Sequence, residues 1–320
     1  MDNLSVRCMA DRPFLQPGYV FRNHIVQEEE FKQLLRDRPW KGPVLAEVTG
    51  VAPFWMWHQA DDKVSGIYFY YGRDAYESLS CILFGVLAAA TPGAVYDIGG
   101  HCGVYSLLAA AGNRQVHYFD LMQDIVDRFE INLGISGLQD RVRVNRFGVS
   151  SRAGEVEFNY NDLRMTTGAS LEFLAYRFSS PVARKARASV TTLDGYWEDA
   201  GGAAAGLVKM DVERHELSVI EGGKTFFTRN RPWVLVEVLS RQQFADLYQA
   251  FLQLGYSCAY EVDDNAMELR PVRPDLTLES GEPYAFKVYH NVLFSSSPLP
   301  PALLSELAAR IAASPIQTGT

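Results

Sequence analysis

Two stretches of the chain hold residues whose types and spacing could do chemistry. In the first, Val95-Tyr-Asp97-Ile-Gly99-Gly100-His101-Cys102-Gly103 carries an apolar segment ending in a carboxylate through glycines into the apolar run Val104 to Ala111. A strand, glycine turn and helix in that order let a ligand approach the backbone closely and point free helix N–H groups at the turn. The pattern Asp-x-Gly-x-x-x-Gly departs from the Gly-x-Gly-x-x-Gly of dinucleotide sites. An acid just before the turn would repel a pyrophosphate, but it suits a ligand that brings an ammonium and a sulfonium group, as S-adenosyl-L-methionine does. Asp120 closes a second short apolar segment, Val116-His-Tyr-Phe, about twenty residues past the glycines, where ribose hydroxyls need an acceptor. The competing reading is a purely structural strand–turn–helix in another doubly wound protein.

The second stretch is Gly206-Leu-Val-Lys209-Met-Asp211-Val-Glu213-Arg214-His215-Glu216. In a strand that continued this far, Lys209, Asp211 and Glu213 would share one side. Central parallel strands are apolar on both faces, so charges at the carboxyl end belong to the crevice rather than the core. Trp233-Val-Leu-Val-Glu237 reads as the next strand, again ending in an acid, and a structural Lys209–Glu237 pair is the competing account of both charges.

The elements that must position these groups are set by a chain of 320 residues with net charge −8 and pI near 5.3. That length accommodates one large domain or two smaller ones. The acidic balance lacks the positive field of a nucleic-acid binder. Cysteines at 8, 81, 102 and 258 fit neither a disulfide framework nor a zinc pattern. No apolar signal core opens the sequence, and the longest greasy run, Cys81 to Ala90, is too short to span a membrane. The expectation is a cytoplasmic protein with neither nucleic acid nor membrane as partner.

Along the chain, Gln27 to Arg36 predicts a short surface helix. Phe54-Trp-Met-Trp-His58 and Ile67-Tyr-Phe-Tyr-Tyr71, either side of Asp61-Asp62-Lys63, predict an aromatic hairpin. Asp74-x-x-Glu77 ahead of an apolar run to Ala90 predicts a capping box, with Glu77 also within reach of a cofactor. Leu121 to Leu133 predicts a helix, and Val142 to Phe147 a third strand ending at Gly148-Val149-Ser150, the adenine side of such a sheet. Gly154 to Phe158 and Ala188 to Thr192 predict strands around a polar loop from Asn159 to about Ser170, a candidate substrate lip. Leu303, Leu304, Leu307 and Ile311 lie at helical spacing in the tail, suited to docking on the domain or on a second subunit as a homodimer.

These stretches together resemble the FkbM family of S-adenosylmethionine-dependent methyltransferases. The resemblance rests on Tyr76-Glu77, Asp97-Ile-Gly99-Gly-His-Cys-Gly103, Asp120, Asn132-x-Gly134, Thr192-Leu-Asp194, Lys209-Met-Asp211-Val-Glu213 with His215-Glu216, Gly222-Gly223, Arg231-Pro232 with Val236-Glu237, and Gly255-Tyr256. It covers roughly residues 68 to 296 in order. The resemblance implies an α/β class I methyltransferase fold, a Rossmann-like seven-stranded sheet with helices on both faces. To this the chain adds an N-terminal α+β extension (1–73) and a β insertion between the third and fourth core strands. The methyltransferase domain would span 74–296 and a tail helix 297–320.

The activity implied is methyl transfer to oxygen, often a hydroxyl of a sugar or secondary metabolite. Cofactor contacts are expected from Glu77, Asp97, Gly99, Gly100, His101, Gly103, Asp120, Leu121, Gly148, Val149 and Asp211. An alcohol needs a base to take its proton, and Asp211, Glu213 and His215 are the candidates. A divalent ion on Asp211 and Glu237 ranks below the metal-free reading. The sequence departs from the family pattern at His101, usually Asn, at Arg214, usually Gly, and at Asp120, usually Glu. A dinucleotide oxidoreductase and an inactive cofactor-binding scaffold are the alternatives.

Overall fold

The computed structural model describes residues 36–59, 62–161, 183–273 and 290–316, with Gln33, Ala169 and Ser170 besides. Gly42–Ala46 (β1) and Phe54–His58 (β2) form a hairpin, followed by Lys63–Tyr71 (α1) and Ser78–Ala90 (α2). Ala94–Ile98 (β3) leads through the glycine turn into Val104–Ala111 (α3), and Val116–Phe119 (β4) into Gln123–Ser136 (α4). Val142–Asn145 (β5) is followed by Gly148–Val149 (β6), Gly154–Asn161 (β7), Ala169–Ser170 (β8) and Ala183–Thr191 (β9). The alternating pattern resumes with Leu193–Asp199 (α5), Ala205–Met210 (β10), Glu216–Glu221 (α6), Lys224–Asn230 (α7), Trp233–Val238 (β11) and Arg241–Gln253 (α8). Cys258–Asp263 (β12), Glu268–Val272 (β13), His290–Ser295 (β14) and Pro301–Ala313 (α9) close the described chain.

The main sheet has the order β13-β12-β14-β11-β10-β3-β4-β5. From β5 to β11 the strands are parallel, while β14 runs antiparallel between β11 and β12. Seven of these strands match the expected sheet. The eighth, β13, pairs antiparallel with β12 and covers what would be its outer edge. Central strands are apolar on both sides because both faces are covered: Val95, Leu207 and Leu235 pack with α2 and α3, whereas Tyr96, Val208, Val234 and Val236 pack with Phe226, Phe227 and Phe251. The chain leaves β3 toward β4 and β5 on one side and returns to β10 on the other, so the β3/β10 boundary is the switch point where α/β sheets open a ligand crevice.

Several expectations change on contact with tertiary structure. The aromatic hairpin does not form: β2 pairs with β1, and Ile67–Tyr71 lies in helix α1, whose first turn is capped by the Asp62 carboxylate accepting from Val64 N and Ser65 N. Val64, Ile67, Tyr68 and Tyr70 are all buried, and an apolar run buried on every side has no period from which strand and helix can be told apart. The capping box is absent too. Helix α2 starts at Ser78, Glu77 makes no side-chain cap, and Asp74 instead accepts from Thr49 N at 2.7 Å, Thr49 Oγ1 at 2.5 Å and Ser314 Oγ at 2.7 Å. The third core strand ends at Asn145; Gly148–Val149 begins a separate four-stranded sheet, order β6-β9-β7-β8. Most of the Gln27–Arg36 helix and of the candidate substrate lip lies outside the described residues.

The hairpin is held to α4 by side chains of that helix. Asn132 Oδ1 accepts from Trp57 N at 2.7 Å and Ser136 Oγ from Trp55 N at 2.9 Å, which satisfies the unpaired edge of β2. At the other end, α9 buries Leu303 and Leu307 in the same cluster as α2, with Ile311 packed against it, while Leu304 is exposed. Among the described residues no helix is long and apolar enough to cross a membrane.

Candidate active site

Asp97 and Lys209 are register partners across the β3/β10 boundary. Asp97 is 1% exposed and accepts a hydrogen bond from Ser106 Oγ at 2.6 Å. Burial pushes its carboxyl up to about 6 despite that donor and the Lys209 charge. Gly99, at φ +82°, has no room for a side chain, since a Cβ there would lie 1.9 Å from the Asp211 carbonyl oxygen. The two chemically suggestive stretches are thus in backbone contact, and Asp211 N donates to Ile98 O at 2.9 Å.

His101 also adopts a left-handed conformation, φ 48°. Its N–H donates to Asp120 Oδ2 at 3.1 Å, and its carbonyl accepts from Tyr118 OH at 2.7 Å. Asp120 also accepts from Met122 N at 2.9 Å. Burial pushes its carboxyl up, with backbone N–H groups and His101 opposing. Gly103, at φ +86°, abuts the ring of Phe129, which stacks on Tyr118 with centroids 4.0 Å apart. Asn132 Nδ2 donates to Cys102 O at 2.9 Å, tying this turn to α4 and through it to β2. On the neighbouring rim, a Cβ on Gly148 would meet Leu121 at 3.3 Å, so these two sit together, while the Val149 side chain is buried in the core.

Strand β10 ends at Met210, so the alternation that would align Lys209, Asp211 and Glu213 stops there. The loop instead turns through left-handed Glu213 and Arg214, φ 53° and 76°. Glu216 holds this turn: its Oε1 accepts from Val212 N at 3.2 Å and Arg214 N at 3.3 Å, and its Oε2 from Gln243 Nε2 at 2.8 Å. Burial pushes the Glu216 carboxyl up to about 7. The outcome is that Asp211, Glu213 and Glu237 converge, each offering an oxygen within 4.8 Å of the others. Burial, then Asp211 and Glu213, push Glu237 well above the carboxylate range. His215 stands apart from this group, with Nε2 2.9 Å from Ser150 Oγ and a pKa lowered by burial.

Lys209, 2% exposed, pairs with Asp211 at 3.6 Å rather than with Glu237 and lies 5.1 Å from the centre of the Tyr105 ring. Burial works against its charge, but Asp211, Glu77, Glu237 and Asp97 together raise its pKa. Tyr105 OH donates to Glu77, which also accepts from Asn291 Nδ2 at 3.1 Å. Asp97, Gly99, Gly100, His101, Lys209 and Asp211 line a cavity of about 40 Å³, closed by Val64, Tyr76, Cys102, Val104 and Tyr105. Tyr105, Asn132 and Asn291 are not among the residues to which the sequence points for the site. Asn132 carried a signal, as part of a recognisable Asn-x-Gly; the other two carried none.

An FkbM methyltransferase from Methylobacillus flagellatus shares 14% identity and a TM-score of 0.40, over 63% of this chain and 43% of that one. The chain therefore spans under half the length of that protein. A SAM-dependent methyltransferase from Agrobacterium tumefaciens matches at 11% identity and TM-score 0.44, over 82% and 72% of the two chains. A SAM-dependent O-methyltransferase from Thermotoga maritima matches at 13% identity and TM-score 0.37, over 69% and 66%. No curated protein matches the sequence significantly. The profile of the methyltransferase FkbM domain matches residues 97–258, from the acid of the glycine turn into β12. That match takes in half the sequence and both halves of the switch-point site, and by it the chain belongs to the FkbM methyltransferase family.

Proposed function

We propose that this chain transfers the methyl group of S-adenosylmethionine to a hydroxyl oxygen of a small molecule, a sugar or secondary metabolite. The observation that carries the proposal is the convergence of Asp211, Glu213 and Glu237 at the switch point, with Asp97 lining the same cavity as Asp211 beside a glycine turn that leaves no room for a side chain at Gly99. The residues present fit the donor. Asp97 and Asp211 offer negative charge to its cationic end, the turn admits backbone contact, and the Asp120 carboxylate, which accepts from the His101 and Met122 N–H groups, is an acceptor suited to ribose hydroxyls. The donor supplies an electrophilic methyl carbon. What the chain must add is a held acceptor, exclusion of water and a proton acceptor. Asp211 and Glu213 suit that last role, since they stand together in the acidic group from which His215 is set apart. The free thiols of Cys81, Cys102 and Cys258 suit a reducing compartment, and we read the enzyme as cytoplasmic.

Calorimetry should show S-adenosylhomocysteine bound and NAD not. With extract from a strain lacking the protein as acceptor source, label from methyl-labelled S-adenosylmethionine should enter one product. Glu213→Gln or Asp211→Asn should slow that transfer roughly 10²–10⁴-fold, and a chelator should leave it unchanged. Tight NAD binding without S-adenosylhomocysteine binding would overturn the reading. Chelator-sensitive transfer restored by magnesium would instead make Asp211, Glu213 and Glu237 metal ligands.

A further inference from the structure

The cavity behind the glycine turn is lined by charges of both signs. Asp97 and Asp211 are its acids, and Lys209 is the one fixed cation among its described lining residues. The ammonium of Lys209 is buried, and among the described residues its Nζ has no hydrogen-bond acceptor. Among the described residues its nearest acid oxygen, on Asp211, is 3.6 Å away, outside hydrogen-bonding distance. The Tyr105 ring gives it an electrostatic neighbour but no lone pair directed at an N–H. An ammonium with donors unfilled in a low-dielectric setting is costly, and an oxygen acceptor brought by a ligand would fill them. A purely anionic ligand would meet Asp97 and Asp211, and a purely cationic one would meet Lys209. A zwitterion satisfies both.

On these grounds we infer that Lys209 is the counter-ion for the α-carboxylate of a bound amino-acid end, whose ammonium group faces Asp97 and Asp211. This rests on the cofactor reading above, because the methyl donor carries such an end. The bland alternative is that Lys209 only neutralises the acids around it, Asp211, Glu77, Glu237 and Asp97.

The experiment compares S-adenosylhomocysteine with its decarboxylated analogue by calorimetry, on the parent chain and on Lys209→Met and Lys209→Arg. In the parent, removal of the carboxylate should weaken binding roughly ten- to hundredfold, as expected for a charge-assisted hydrogen bond. In Lys209→Met the two ligands should bind equally, at about the parent's affinity for the decarboxylated analogue, and Lys209→Arg should retain part of the discrimination. Equal binding of both ligands by the parent overturns the inference without recourse to any variant. So does a carboxylate preference that Lys209→Met leaves undiminished. Should Lys209→Met fail to fold, the parent ratio and Lys209→Arg still decide. If the parent binds neither ligand, the cofactor reading itself fails, and that outcome is distinct from failure at Lys209.

Discussion

Replacing Gly103 by alanine tests whether the third glycine of the turn is kept small for the ligand or for the protein. The residue sits at φ +86°, and a Cβ built there would lie 2.0 and 2.1 Å from two ring carbons of Phe129, neither residue being among those that line the cavity. Left-handed backbone costs a non-glycine residue about 1–2 kcal/mol, and displacing a packed ring costs about 1–3 kcal/mol more. Phe129 cannot move freely, because it is fully buried and stacks on Tyr118, whose hydroxyl donates to the His101 carbonyl at 2.7 Å. The expected loss is therefore roughly 2–5 kcal/mol of stability, a fall of roughly 1–2 M in urea midpoint at a slope of about 2–3 kcal/mol per M. Urea unfolding followed by tryptophan fluorescence measures it, with S-adenosylhomocysteine affinity measured in parallel. A variant that unfolds at the parental midpoint yet no longer binds would refute this reasoning and return Gly103 to the role of clearing space for the cofactor.

The departure at His101 should be tolerated: at φ 48° asparagine is among the few residues that fit, and the contacts to Asp120 and Tyr118 come from the backbone. His101→Asn should therefore hold S-adenosylhomocysteine affinity within a few-fold, and a hundredfold loss in calorimetry would show a side-chain role. Burial raises Asp97 to about 6 and Glu216 to about 7. Each then binds a proton more tightly folded than unfolded, so its contribution is full below pH about 4 and is lost as pH rises through these values, about 1.4 kcal/mol per pKa unit. The ligand-free chain should accordingly have a lower urea midpoint at pH 8 than at pH 5.5, and a midpoint that rises over that interval would sink the assignment.

Much of the site's composition was written in the sequence because it depends on local chemistry. Asp97, Gly99, Gly103 and Asp120 follow from a strand that must stop, a turn that must go left-handed and a helix that must start, all within two dozen residues of chain. Parallel strands announced themselves as apolar runs for the same reason. What the sequence left open depended on contacts between distant segments. Whether Ile67–Tyr71 is strand or helix was decided by burial on all sides and by the Asp62 cap. The fate of Asp74 was decided by Thr49 and Ser314, 25 and 240 residues away. Asp211, Glu213 and Glu237 could be listed but not assembled, since strand alternation ends at Met210 and their meeting depends on a left-handed turn held by Glu216 and Gln243. Lys209 had two acids within reach in the sequence, and only the tertiary structure left its ammonium over the Tyr105 ring at the cavity.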